Sequence, residues 1–312
     1  MSRVSPKVAA ARVSVATAVA LATMKLVTGL LTGSLAVLTS AVDSLLDILM
    51  SGVNFMAIRQ AEQPADARHP YGHGKFETIA TVFQAIVIAL SGGWICFEAV
   101  RRLQSGSVVA KPLGGIVVMI VSLAASLLLT RYLRRVAKAT DSSALAADSL
   151  HFAMDVYTNL ALLVGLLALF WLELPWLDPV MSLLVACYII YQALDLLRLG
   201  MRDILDEQLP DTIRSEIEQL IVTNKGELFD YHNLRTRRAG SQKLIDFHLT
   251  VCKHLSVDEA HHITDSLEGK IAEHVIGADV TIHIEPCQQA DCPGRADCPA
   301  LKLRMLDAKT DG

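Results

Sequence analysis

Two pairs of ionisable side chains inside apolar stretches of this 312-residue chain have a spacing that suggests a chemistry. Asp43 and Asp47 are four residues apart, and so are His151 and Asp155. On helices each pair therefore shares a face. Ser40, Ser44, Ser51 and Asn54 extend the first polar stripe, and Asn159 extends the second. A charge at the centre of a bilayer costs about 3 kcal/mol or more, so each such residue needs a reason to be there. Three carboxylates and one imidazole form a tetrahedral oxygen-and-nitrogen set suited to a divalent transition metal. Without an ion the carboxylates repel one another in low dielectric and favour bound protons, which an arriving dication displaces. The four residues point to metal/proton exchange. Inter-helix hydrogen bonding for packing alone explains a lone aspartate better than two matched pairs. Lys25 stands singly in mid-segment and suits either a structural partner for a carboxylate or a functional role.

A second set lies in the stretch from Gln63 to Lys75, where Asp66, His69 and His73 are spaced like metal ligands. Its proline and glycine content lets a short loop fold around an ion. Spacing alone fits a polar interfacial loop with its histidines in water equally well. A third set lies towards the C-terminus, in His232, His248, His261, His283 and Glu285. Beyond it, Cys287, Cys292 and Cys298 put three thiols in twelve residues, a set able to capture zinc or cuprous copper. Their spacing is no zinc-finger pattern, and the prolines that follow favour a flexible segment.

These sets need elements to position them. Hydrophobic residues make up 52% of the chain and mean hydropathy is +0.41, an excess that points to membrane. Six apolar segments are long enough to span: 9–31, 35–58, 77–100, 113–133, 144–171 and 177–199. A signal peptide is a poor reading of the first, because no cleavage site and soluble domain follow it. Lysines and arginines concentrate in the loops that are internal if the N-terminus is inside, which predicts that both termini are cytoplasmic. Trp94, Trp171 and Trp176 then fall at outer helix ends. In that arrangement the second span enters from outside and the fifth from inside, so the two charged pairs lie at similar depth. The predicted organisation is a six-span transport domain over 1–202, a cytoplasmic domain over 203–286 and a flexible tail over 287–312. A net charge of −4 with no basic patch argues against a nucleic-acid partner. No nucleophile–base arrangement or phosphate loop suggests an enzyme. The six cysteines form no CxxC pair, and a reducing cytoplasm makes disulfides unexpected.

Residues 211–285 read as helix, strand, strand, helix, strand. Ile245, Phe247, Leu249 and Val251 alternate with Asp246, His248 and Thr250, so His248 points away from the apolar face. Ser256-Val257-Asp258-Glu259 is a capping box that opens the second helix, with Ala260, Ile263, Leu267 and Ile271 as its core stripe. His283 and Glu285 face outward from the last strand. For His254, His262 and His274 solvated surface positions are the better reading.

The Asp43-x3-Asp47 pair, the Asp66…His69-Pro-Tyr-Gly-His73-Gly-Lys75 loop and Ala147-Asp148-Ser149-Leu150-His151-x3-Asp155 together resemble a cation diffusion facilitator. The resemblance runs from the first span to about Pro286 and is nearest the iron/zinc efflux branch. It implies a homodimer in the bacterial inner membrane that expels Zn²⁺ or Fe²⁺, with Cd²⁺ also possible as cargo, by proton antiport and alternating access. It also implies that Asp43, Asp47, His151 and Asp155 form the transport site and that Asp66, His69 and His73 form a second site. The C-terminal portion is expected to be a ferredoxin-like, metallochaperone-like dimerisation domain. There His232, His248, His261, His283 and residue 285 would hold a binuclear, structural zinc-type site. The family pattern has Asp at 285, and Glu285 departs from it. A contact between Lys75 and Asp206 across the dimer also fits that pattern.

Overall fold

A computed structural model describes residues 5–32, 35–105, 116–172, 176–224 and 230–288. The chain divides into two units, Met1–Ile204 and Leu205–Gly312.

The first unit is helical: α1 (Pro6–Thr32), α2 (Leu35–Ala61), α3 (Lys75–Ser105), α4 (Ile116–Thr140), α5 (Ser143–Leu172) and α6 (Leu177–Ile204). Among the described residues four stretches are long and apolar enough to cross a membrane: Pro6–Leu31, Ser40–Ala61, Lys75–Gln104 and Pro179–Ile204. The protein is therefore a multi-pass membrane protein. The other two expected spans fall on α4 and α5, but residues 113–115 and the side chains of 162–171 lie outside the description. Local chemistry sets the ends. Pro6 opens α1, where its missing N–H costs nothing. The Ser142 hydroxyl accepts from the Leu145 N–H (3.2 Å) at the start of α5.

Much of the polar stripe of α2 faces inward, with Asp47 half-buried and Asp43 exposed. On α2, Ser44, Ser51 and Asn54 are fully buried, whereas Val42, Leu45, Leu46, Leu49 and Met56 are exposed. That distribution suits a lipid solvent rather than water. Helices α3 and α6 approach closely at glycines. A Cβ on Gly200 would lie 2.5 Å from Val82 Cγ2, and one on Gly92 2.8 Å from Ile190 Cγ1. Small residues are what permit such contact between membrane helices, where no hydrophobic force drives association. At one end of the unit the Lys7 ammonium pairs with Glu62 and lies 3.7 Å from Glu77, whose carboxylate also accepts from Ser142. Thr81 donates to Ser143 (2.9 Å) beside them. This knot ties the starts of α1, α3 and α5 to the end of α2. Burial alone would push the Glu62 carboxyl up, but hydrogen bonds from Lys7 and Ser5 hold it below its ordinary value.

The second unit runs α7 (Asp211–Asn224), β1 (Asp230–Ala239), β2 (Gln242–Val251), α8 (Val257–His274) and β3 (Ala278–Pro286). This is the order that the alternation predicts, and it makes a mixed α+β domain. The sheet order is β1-β2-β3, with β1 and β2 antiparallel and β2 and β3 parallel through the α8 crossover. Ile245, Phe247, Leu249 and Val251 form one face, which packs on Ile217 and Ile221 of α7 and on Ile263, Leu267 and Ile271 of α8. The capping box at Ser256 is present: its hydroxyl accepts from the Glu259 N–H (3.3 Å), and Glu259 accepts from the Ser256 N–H (2.8 Å). Gly277 has φ +74°, and a Cβ there would lie 2.4 Å from the Ser241 carbonyl oxygen.

Candidate metal sites

Among the described residues, two sets of three ligand-type side chains bring their donor atoms within 4.8 Å of one another. Both lie outside the apolar helices.

The first is Asp66, His69 and His73, in the connection between α2 and α3. Asp66 organises it. Its Oδ1 accepts from the backbone N–H of His69 (2.7 Å) and of Arg68 (2.8 Å), and lies 3.2 Å from His69 Nδ1. Those two backbone donors hold the Asp66 carboxyl below the usual carboxylate range. Asp66 Oδ2 is 3.4 Å from His73 Nε2, and the two imidazole centroids are 4.4 Å apart. Gly72, at φ +78°, gives the loop the left-handed step that returns His73 to the cluster. His73 is 4% exposed while Asp66 and His69 face solvent, so an ion would enter from the Asp66 side.

The second set stands on the sheet. Register pairs His232 with His248 and His248 with His283, which puts one imidazole on each strand in a single row. Glu285 lies two residues beyond His283 and so points to the same face. Its carboxylate is 2.8 Å from His248 Nδ1, 3.3 Å from His232 Nε2 and 4.0 Å from His283 Nε2. The longer glutamate arm reaches the middle of the row. Asn233, with φ 55°, marks an irregularity in β1 directly after His232, which alternation along the strand does not reveal. His261 is elsewhere. It is exposed on α8, the helix that covers the opposite, apolar face of the sheet. Burial, with Asp265 and Asp279 nearby, pushes the Glu268 carboxyl up.

Inside the first unit, His151 Nε2 is 3.1 Å from Asp47 Oδ1, so the polar faces of α2 and α5 do meet. His151 is 8% exposed. Asp155 lies within electrostatic reach of Asp47, His151, Lys25 and Asp43. The four residues are neighbours but do not close into one cluster of the kind formed by the loop and the sheet. The second-stripe Asn159 turns back, donating to the Asp155 carbonyl oxygen (2.6 Å). On the same helix the Asp148 carboxylate is fully buried, with Ser14 and Asn54 facing it. Its spacing of three residues from His151 and seven from Asp155 was the available signal. Cys292 and Cys298 lie outside the described residues, and the Cys287 N–H donates to the Val251 carbonyl (2.8 Å).

Residues 11–205 match the cation efflux transmembrane domain, and residues 209–287 match the cation efflux protein cytoplasmic domain. The chain belongs to the cation diffusion facilitator family. A relative from Shewanella oneidensis, named cation-efflux pump FieF, is 39% identical over 89% of this chain and 94% of its own length. Another of that name, from Escherichia fergusonii, is 35% identical over 80% of this chain and 83% of its own. A solved structure of the zinc form of CzrB is 39% identical, covers 26% of this chain and 92% of its own, and has a TM-score of 0.23. Within the cation diffusion facilitators the chain belongs with the FieF-like metal-efflux branch, and it is a transporter rather than an enzyme.

Proposed function

We propose that this cation diffusion facilitator exports Zn²⁺ or Fe²⁺ from the cytoplasm in exchange for protons, as a homodimer working by alternating access. Six spans over residues 1–202 carry the ion and leave both termini in the cytoplasm. Residues 203–286 form a ferredoxin-like dimerisation domain, followed by a tail over 287–312. The observation that carries the reading is the 3.1 Å contact between Asp47 and His151, made across two apolar helices. The names of the curated relatives, cation-efflux pumps, agree with it.

Asp43, Asp47, His151 and Asp155 are assigned as the transport site. The hydrogen bond between Asp47 and His151 occupies the place where a dication would be ligated by both atoms. Ion entry therefore breaks that bond and sends the proton to water, and ion exit restores it. The coupling needs no residue beyond the ligands. Asp66, His69 and His73 are assigned as a second site, able to receive an ion at the loop. On the sheet the donor set of two imidazoles and one carboxylate suits zinc. There His232, His248 and Glu285 would hold a structural ion, with His283 beside them. His261 joins that site only through a second copy of the chain.

A second reading has one observation in its favour, namely that the two ligand sets which do close both lie outside the membrane helices. It makes the chain an anchored metal-binding protein with little transport. Metal-dependent proton flux in sealed proteoliposomes separates the two. Wild type should carry Zn²⁺ or Fe²⁺ against protons, and Asp47→Ala should not. No flux from wild type with either metal, alongside retained metal binding, would establish the second reading.

A further inference from the structure

Lys25 lies on α1 thirteen residues beyond Arg12, deep in the apolar stretch, and the transport reading leaves it without a role. Its ammonium donates to the hydroxyl of Ser44 (2.7 Å). Ser44 is fully buried and lies on α2 between Asp43 and Asp47. The same ammonium acts electrostatically on Asp43 and on Asp155, so its charge is felt on both sides of the α2–α5 contact. A lysine is a compact point charge on a flexible stem, able to stay near several carboxylates without chelating any of them.

We propose that Lys25 is a tethered counter-ion of the transport site, a positioning residue that sets how tightly the site holds its dication. The inference rests on the transport reading above. Three carboxylates carry three negative charges. A dication neutralises two and Lys25 the third, so with a neutral His151 the loaded site carries no net charge. A loaded site without net charge is the form least costly to hold within a membrane. Without Lys25, the loaded site would keep an unbalanced carboxylate that grips the dication more strongly and slows its release. The lysine thus trades affinity for turnover. It repels the ion it helps to accommodate, and it can neutralise only one charge where the site needs two more.

The test compares wild type, Lys25→Gln and Lys25→Arg in proteoliposomes, with Zn²⁺ and Fe²⁺ tried separately and Asp47→Ala as the inactive control. Removing a unit charge that acts on the carboxylates of a dication site should change the ion's retention by roughly tenfold or more. Lys25→Gln is expected to lower KM and kcat together by about that factor, with tighter equilibrium metal binding. Lys25→Arg keeps the charge and should hold both constants within about threefold of wild type. Unchanged constants in Lys25→Gln, or a raised KM, would overturn the proposal. So would a loss in Lys25→Arg equal to that in Lys25→Gln, since it would assign Lys25 to packing through Ser44. Lys25→Arg also decides the case if Lys25→Gln fails to assemble. Failure of wild type itself to transport would refute the transport reading, whereas normal wild-type flux with an indifferent Lys25→Gln would refute only this inference.

Discussion

The sheet of the second unit and the helix pair of the first hold ligand-type residues in two different ways. On the sheet, strand register alone puts His232, His248 and His283 in a row, and the arm of Glu285 spans it. Backbone hydrogen bonds fix that register, so the donors stand together before any ion arrives. Between α2 and α5, among the four described pair residues, Asp47 and His151 are in contact, and Asp43 and Asp155 stand near without closing. Helices packed side by side can shift against one another more easily than strands in a ladder. A site that must release its ion each cycle suits the second construction, and one that keeps its ion suits the first.

Substitutions should break this comparison unequally. The largest effect is expected at the helix pair: Asp47→Ala should lower metal-driven proton flux by about 100-fold or more while leaving the ion count of the second unit unchanged. His248→Ala should do the reverse, lowering bound metal and removing about 2–4 kcal/mol of metal-dependent stabilisation, with flux reduced far less. Melting with and without chelator, beside flux, reads both. Equal losses of flux in the two variants would abolish the distinction.

Next comes the packing of the first unit. Gly200→Leu must displace Val82 at the α3–α6 contact. It should cost about 1–3 kcal/mol and lower the melting temperature without altering metal binding by the second unit. A comparable cost is expected in the second unit from Gly277→Ala. There the new methyl group meets the Ser241 carbonyl and the backbone is left-handed. A loss of about 1–2 kcal/mol, seen as a lower denaturation midpoint, is the expected result. The smallest effect is Ser256→Ala, which removes one half of the capping box and should cost about 1 kcal/mol, with flux unaffected.

Much of the fold was legible because its signals are local. Alternation along 245–251 placed the core face of β2, and Ser256 with Glu259 marked the start of α8. The loop triad could be named from spacing, whereas the hold of the Asp66 carboxylate on the backbone of Arg68 and His69, which gathers the three side chains, became visible only in the structure. Asp148 is not legible as a special residue from sequence, because an aspartate near a helix start reads as ordinary until its full burial is known. The Asn233 irregularity left no trace in the alternation.

By itself the sequence determined which residues can ligate a metal, which stretches can lie in lipid and the order of elements in the second unit. These depend on residue type and on periods of two and 3.6, which a chain carries along its own length. Only the tertiary structure decided which of those residues meet. It joined Asp47 to His151, placed Lys25 against Ser44, centred Glu285 on the histidine row and left His261 on the far side of the sheet. Contacts between residues a hundred positions apart depend on how helices pack and strands register, and no local period encodes that.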